Sequence, residues 1–326
     1  MRQLICAMPD LDYVASAADR AAEFLSASIT SGRYTLVAYS SDGSPCPVHD
    51  RGRIFPGFWV ASALEGRMQR SEIQVMRRRI HDEDRGGLWG DCTKAPVDAD
   101  DTAFALRTLS LFGDTPDESG LLRFYKRESR FFPTFYSSRP IALAFERTLD
   151  GNFMAHPEVA ANIFHVLWSR NRRAYINYDL IADSQSQDGD WRSYFYPSRY
   201  YATFVFCHLL QRMNRMKDER LRAIDFIRGS RRADGMWGSP ANACDTALAL
   251  NTLQLDEWAE GDLARSVDAL LESQLCDGSW SVPQAIWLYP ATAGVEWAAY
   301  DFHRVIGTAV CLMCLRKLLA GRPARS

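Results

Sequence analysis

Apolar residues crowd into a few runs along the chain, and the runs between them carry charge on one side of a helical period. Four apolar runs are rich in Ala, Thr and Leu: "DDTAFALRTLSLF" (Asp100 to Phe112), "YYATFVFCHLLQRM" (Tyr200 to Met213), "CDTALALNTLQL" (Cys244 to Leu255) and "GTAVCLMCLRKLLA" (Gly307 to Ala320). Apolar on nearly every side, they predict helices buried all round. "MKDERLRAIDFIRG" (Met216 to Gly229) instead places charges at helical spacing beside Leu, Ile and Phe. That pattern predicts a helix with one wet face.

The same boundary recurs between the two kinds of run. "IADSQSQDGDW" (Ile181 to Trp191), "IRGSRRADGMW" (Ile227 to Trp237) and "LLESQLCDGSW" (Leu270 to Trp280) each end in D-G-x-W, and Gln185, Arg231 or Gln274 stands four residues before the Gly. The Trp residues are 46 and 43 residues apart. A weaker copy, "HDEDRGGLWG", ends near Trp89, 102 residues before Trp191, about two periods with a degenerate copy between. A period in the forties marks an array of supersecondary units. Here each unit reads as a charged outer helix, a turn and an apolar inner helix. At about 50 residues per pair the chain holds roughly six pairs, enough to close one ring. The expectation is an all-α, (α/α)6 barrel forming a single domain over residues 1–326, with helices in residues 1–50 completing or capping the ring. "YSSDGSPCPVHDRG" (Tyr39 to Gly52) is richest in breakers and reads as the loop joining them. Gly would supply positive φ at the end of the outer helix, Trp would pack over the turn, and Gln or Arg would bond free carbonyls.

Composition narrows the function classes. The chain is 47% hydrophobic and 24% charged with a net charge of −2, which does not point to nucleic acid. No run approaches the roughly 20 apolar residues that span a bilayer. The start, "MRQLICAMPDLDYVASA", lacks a hydrophobic signal core. The 8 cysteines are scattered, which suggests free thiols and a cytoplasmic location. Cys311 and Cys314 form a C-x-x-C inside an apolar helix and read as packed thiols.

Chemistry is concentrated at the head of the first apolar run, where "DADD" sets Asp98, Asp100 and Asp101 within four positions. Acids favour helix starts, so a capping role is one reading. The other is a proton donor. Three crowded carboxylates cannot all ionise cheaply, so at least one keeps its proton at neutral pH. The helix N-terminus, placed at Asp101–Thr102, would stabilise the conjugate base.

The D-G-x-W segments resemble the QW repeats of triterpene and diterpene cyclases. "DADDTA" (Asp98 to Ala103) matches the D-x-D-D-T-A motif of class II terpene cyclases, and "HPEVAANIFHVLW" (His156 to Trp168) is similar to a further segment of the diterpene-type members. The likeness runs from about Gly57 to the C-terminus. It departs in length, since family members usually pair two α-barrels; the cavity would then be covered by a second copy in a homodimer, by a partner chain, or by nothing. The resemblance implies cyclisation of a linear prenyl diphosphate, farnesyl or geranylgeranyl, begun by protonating an alkene. Asp100 would be the donor, supported by Asp98 and Asp101. Phe104, Phe164, Trp168, Tyr200 and Tyr300 are candidate aromatic faces for the cation. Asn162, His165 and His303 are candidates for the terminating proton acceptor. Arg170, Arg172 and Arg173, following an apparent inner helix, are the candidate diphosphate ligands. The proton chemistry needs no cofactor; a magnesium ion on "DED" (Asp82 to Asp84) could accompany the diphosphate. Two other readings share the ring of helices. One is a zinc-dependent prenyltransferase-like protein using Cys244, Asp245 and His303. The other is a non-catalytic toroid that binds a lipid or partner.

Overall fold

Each apolar run begins at a polar cap, and most outer helices end at a glycine turn. The computed structural model describes residues 10–40, 53–91, 97–135, 156–255, 260–282, 284–289 and 297–321. The outer helices among these are α1 (Leu11–Ser31), α3 (Arg70–Asp82), α5 (Ser119–Leu122), α7 (Tyr178–Asp183), α9 (Lys217–Gly229) and α11 (Glu260–Glu272). They alternate with α2 (Ile54–Ala63), α4 (Ala99–Leu111), α6 (Pro157–Ser169), α8 (Arg199–Met213), α10 (Ala243–Leu253) and α12 (Val305–Ala320). This second set packs in the order α2, α4, α6, α8, α10, α12 and back to α2, a closed inner ring. All four apolar runs lie in it. The sequence pattern did not single out α2, "IFPGFWVASA", as a separate inner helix.

The Trp turns bolt the two layers together in the same way four times. The indole N–H of Trp89, Trp191, Trp237 and Trp280 donates to the carbonyl of Ile80, Ile181, Ile227 or Leu270 at the end of the outer helix, at 2.8 to 2.9 Å. The backbone N–H of the same Trp donates to the hydroxyl of Thr102, Thr203, Thr246 or Thr308 on the next inner helix, at 3.0 to 3.1 Å. Thr in the D-T-A triplets is therefore a structural bolt. The degenerate copy lies at Lys126–Phe132, where Lys126 N–H donates to Phe131 O (2.9 Å) and the buried Phe132 follows.

Gln185 and Gln274 tie one outer helix to the next. Gln185 Nε2 donates to Gly189 O (2.8 Å) and to Glu219 O in α9 (2.7 Å). Gln274 Nε2 donates to Gly278 O (3.0 Å) and to Ala17 O in α1 (2.9 Å). The last repeat thus clamps the first helix, and α1 lies against α12 and α3.

One departure from an all-helical chain is a small antiparallel sheet of β1 (Val37–Ser40), β2 (Trp287–Tyr289) and β3 (Trp297–Tyr300), ordered β1-β3-β2. It registers Val37 with Tyr300 and Trp287 with Ala299. β1 includes the first two residues of the expected Tyr39–Gly52 loop; residues 41–52 lie outside the described residues. No helix among the described residues is long and apolar enough to cross a membrane.

Gly278 tests the turn. Its φ is +84°, and a Cβ there would sit 2.5 Å from Arg20 O of α1. Gly278→Ala is expected to destabilise the fold by about 3 kcal/mol, through left-handed strain plus a backbone clash. Gly66, at φ +75° with open space around it, should lose only about 1 kcal/mol on the same change. Urea unfolding of both variants makes the comparison; equal losses would remove the close approach from the account.

Candidate active site

Because inner and outer helices alternate, all inner helices run the same way and their N-termini gather at one end. Arg170, past the end of α6, bonds Ser110 near the end of α4 (3.1 Å), while Ser198 before α8 bonds Asp245 in the first turn of α10. The carboxylate cluster sits at this N-terminal end. Helix α4 starts at Ala99, two residues earlier than the expected Asp101–Thr102, with Asp98 as its cap. Asp98 Oδ1 accepts from Asp101 N–H (2.7 Å), and Thr102 Oγ1 donates to Asp98 O (2.6 Å). Capping and crowding therefore coexist in the same residues.

Asp91, Asp98, Asp100 and Asp101 line a cavity of about 440 Å³, walled also by Phe55, Thr134 and Tyr196. Burial pushes Asp98 up to about 8, and the negative charge of Asp100 adds to this. Asp101 is driven well above the ordinary carboxyl range by burial and by the charges of Asp98, Asp91 and Asp100. Asp100 is raised by burial to about 7, held lower by hydrogen bonds from Asn162 and Tyr196 and by the positive charge of Arg107. Asn162 Nδ2 donates to Asp100 Oδ1 (2.9 Å) and the Tyr196 hydroxyl to Oδ2 (3.3 Å). Arg107 Nη1 in turn donates to Asn162 Oδ1 (2.9 Å), and the guanidinium carbon Cζ lies 4.1 Å from the centre of the Phe58 ring. These donors favour the ionised form, so they stabilise the base left after Asp100 gives up a proton.

Aromatic rings lie on the open side of the acids. Phe55 stands 5.4 Å from Tyr196, which stacks on Tyr201 at 3.9 Å. Glu158, buried in α6, accepts from Tyr194 N–H and Phe195 N–H (both 2.8 Å) and so fixes the segment that carries Tyr196. A second cavity of about 440 Å³ shares Phe55 and Tyr196 with the first and runs between α2, α8, α10 and α12.

Solved structures share this architecture. The apo type II terpene cyclase MstE from Scytonema superposes with a TM-score of 0.79 at 18% identity, over 96% of this chain and 99% of that one. The chain has the class II terpene cyclase fold. An MstE variant in complex with geranylgeranyl dihydroxybenzoate superposes at 0.76 with 17% identity, over 94% and 97% of the two chains. The ent-copalyl diphosphate synthase from Streptomyces platensis matches at 0.63 with 20% identity, over 84% of this chain and 52% of the longer one. No family model and no curated protein matches the sequence. The near-complete mutual cover with MstE shows the cyclase fold in one ring of helices.

Within this cyclase fold the expected site residues separate into groups. Asp98, Asp100, Asp101 and Asn162 come together. Phe104 stands behind Phe55 and Phe58, with ring centroids 5.1 and 5.0 Å away. Phe164 packs on Phe132, and His165 bonds Val205 O (3.1 Å) in the core; burial holds this imidazole well below its ordinary range. Tyr200 turns outward to stack on Phe226 of α9, while its neighbour Tyr201 faces the cavity. Tyr300 joins Tyr39 and Phe302 at the sheet, and His303 is half-buried in the turn before α12.

Trp168, Arg170, Arg172 and Arg173 lie at the C-terminal rim, a helix length of about 20 Å from the N-terminal end where the acids gather. There Arg172 pairs with Glu118 (2.7 Å) and Arg173 lies over Trp168 (4.3 Å). Asp82, Glu83 and Asp84 end α3, where Asp84 accepts from Gly87 N–H (2.6 Å). The described residues contain no group of three or more His, Cys, Asp or Glu arranged for a metal ion. Phe55, Trp59, Arg107, Glu158, Tyr196 and Tyr201 were missed from the sequence. Arg107 alone carried a signal, as the one basic residue in the apolar run that follows the acids.

The buried acids set a pH dependence. Asp98 titrates near 8 in the fold and at about 3.9 when unfolded. Its protonated form thus supports the fold below about pH 4, and that support is lost as pH rises through 8. Asp98→Asn keeps the cap and removes the titration. The variant should gain on the parent by on the order of 4 kcal/mol between pH 5 and pH 8. Urea midpoints at the two pH values measure this, and an unchanged difference would mean Asp98 carries no proton in the fold.

Proposed function

We propose that this chain catalyses proton-initiated cyclisation of a linear prenyl substrate, with Asp100 as the general acid. The observation that carries the reading is Asp100 itself: a buried carboxyl raised to about 7, on the wall of a cavity, with both oxygens held by Asn162 and Tyr196. Such a group keeps a substantial protonated fraction near neutral pH and has its conjugate base already solvated by the protein. Proton transfer from Asp100 to a terminal alkene carbon leaves a carbocation. The faces of Phe55, Tyr196 and Tyr201 stabilise that cation without capturing it. Asp98 and Asp101, themselves raised well above the ordinary carboxyl range, add little charge beside Asp100, and burial opposes its ionisation until the alkene accepts the proton.

The fold supports a prenyl chain as substrate class, since MstE holds geranylgeranyl dihydroxybenzoate and the copalyl synthase bears a diphosphate product in its name. Farnesyl and geranylgeranyl diphosphates are the first compounds to try, with the prenylated arene beside them. The acid step needs no cofactor; a magnesium ion would serve only a diphosphate head group. The reading takes residues 1–326 as one domain, working in the cytoplasm, where free thiols such as Cys207, Cys311 and Cys314 persist. A second copy of the chain covering the mouth is part of the proposal and is read by the oligomeric state in solution. The zinc reading draws less support, because Cys244 and Asp245 meet no third metal-binding side chain among the described residues.

The test is incubation with each prenyl substrate, followed by dephosphorylation where needed and product analysis. Cyclic products should form, and Asp100→Asn should lower their rate by at least about a thousandfold. The rate should fall as pH rises above 7, where Asp100 loses its proton. Undiminished turnover by Asp100→Asn would end the assignment.

A further inference from the structure

The acid box has a second copy on the opposite side of the ring. "DADDTA" (Asp98 to Ala103) opens α4, and "NACDTA" (Asn242 to Ala247) opens α10. Three steps separate these helices in either direction around the inner ring, so they face each other. The backbone geometry repeats. Asn242 Oδ1 accepts from Asp245 N–H (2.8 Å), as Asp98 Oδ1 does from Asp101 N–H (2.7 Å). Thr246 Oγ1 donates to Asn242 O (2.7 Å), as Thr102 Oγ1 does to Asp98 O (2.6 Å).

The chemistry differs. Asn242 replaces Asp98 and Cys244 replaces Asp100, so Asp245 has no carboxylate neighbours within its own box. Its Oδ2 accepts from Asn242 Nδ2 (2.8 Å), and its Oδ1 accepts from the Ser198 hydroxyl. Burial raises its affinity for a proton, and these two donors oppose that. In the α4 box, acid neighbours favour the protonated form; in the α10 box, neutral donors favour the ionised form.

Asp245 also lines the second cavity, the one joined to the acid cavity through Phe55 and Tyr196. Its wall carries polar atoms that the protein leaves unmatched. Trp59 is only 2% exposed, and its indole N–H finds no acceptor in the protein. Gln284 Oε1, beside Asp245, is buried and finds no donor. Buried polar atoms without partners in a cavity wall point to a ligand there.

We propose that Asp245 is the terminating base, taking the last proton from the cyclised carbocation. The inference rests on Asp100 as initiating acid. The proton leaves Asp100 for an alkene carbon, and successive π bonds form the new C–C bonds while the charge moves along the chain. A C–H bond next to the final cationic carbon then breaks. Its electrons form a C=C bond, and its proton passes to the Asp245 carboxylate. The product is an isomer of the substrate. Proton exchange with solvent returns Asp245 to the carboxylate and Asp100 to the acid. Neither His165, bonded inside the core, nor Asn162, engaged with Asp100, is placed for this step.

The experiment compares the parent, Asp245→Asn, Asp245→Glu and Asp100→Asn on geranylgeranyl diphosphate and on geranylgeranyl dihydroxybenzoate. Melting curves verify that each variant is folded. Asp245→Asn should consume substrate within about tenfold of the parent, because initiation is intact. The parent's main olefin should fall at least about fivefold in share, replaced by alcohols or double-bond isomers, and Asp245→Glu should restore part of it. An unchanged product ratio in Asp245→Asn overturns the inference while leaving Asp100 in place. So does a parent main product whose hydroxyl carries ¹⁸O from labelled water. Full consumption by Asp100→Asn overturns the initiating acid instead.

A readout without substrate is ¹³C NMR of aspartate labelled at the carboxyl carbon. The signal lost in Asp245→Asn should be that of a carboxylate at pH 7. A protonated carboxyl there would refute the base.

Discussion

A closed ring of alternating helices must bring every inner N-terminus to the same end. This constraint places the polar starts of α4, α6, α8, α10 and α12 around one opening, while their apolar bodies fill the ring behind. Helix starts attract acids and side-chain acceptors because their first N–H groups lack partners within the helix. Carboxylates and amides therefore collect at one end of the toroid before any chemistry is asked of them. What turns the collection into a reactive site is that it is also buried. At Asp98, Asp100 and Asp101, desolvation is the largest influence on the proton and exceeds the local hydrogen bonds.

The Trp turns hold this end rigid. Each ties the end of an outer helix and the start of the next inner helix to a single indole and its backbone N–H. The Thr hydroxyl that completes the bolt stands directly after the acid in both "DADDTA" and "NACDTA". A carboxyl one or two residues from a bolt has little freedom to wander, which suits a group that must be aimed. The structural role of the repeats and the chemical role of the acids are thus parts of one construction.

The boxes on α4 and α10 show how little sequence change is needed to alter proton affinity. Both start a helix with the same cap, the same bolt and a similar degree of burial. Asp98 beside Asp101 forces carboxyls to share a limited capacity for charge, whereas Asn242 beside Asp245 donates a hydrogen bond and relieves it. The cavity between them is lined by rings from α2, α8 and the segment before α8, elements distant from one another in the chain.

The repeats, the layering of helices, the acid cluster and its capping role were legible in the sequence, because each depends on residues within one turn or one period. The Ala/Thr runs are inner helices since nothing else buries them on all sides, and D-G-x-W is a turn since glycine takes its positive φ there. The neighbours of the acids were not legible. Tyr201 and not Tyr200 faces the cavity because one residue turns a helix by about 100°, a choice made by packing against α2 and α9. Arg107 reaches Asn162, and Tyr196 reaches Asp100, only once the ring closes. Trp168 and the arginines that follow it lie at the far rim because α6 runs parallel to α4. Local patterning by itself determined the helices and the acids at their heads, while side-chain direction and contacts between distant helices, which only closure of the ring imposes, decided what those acids face.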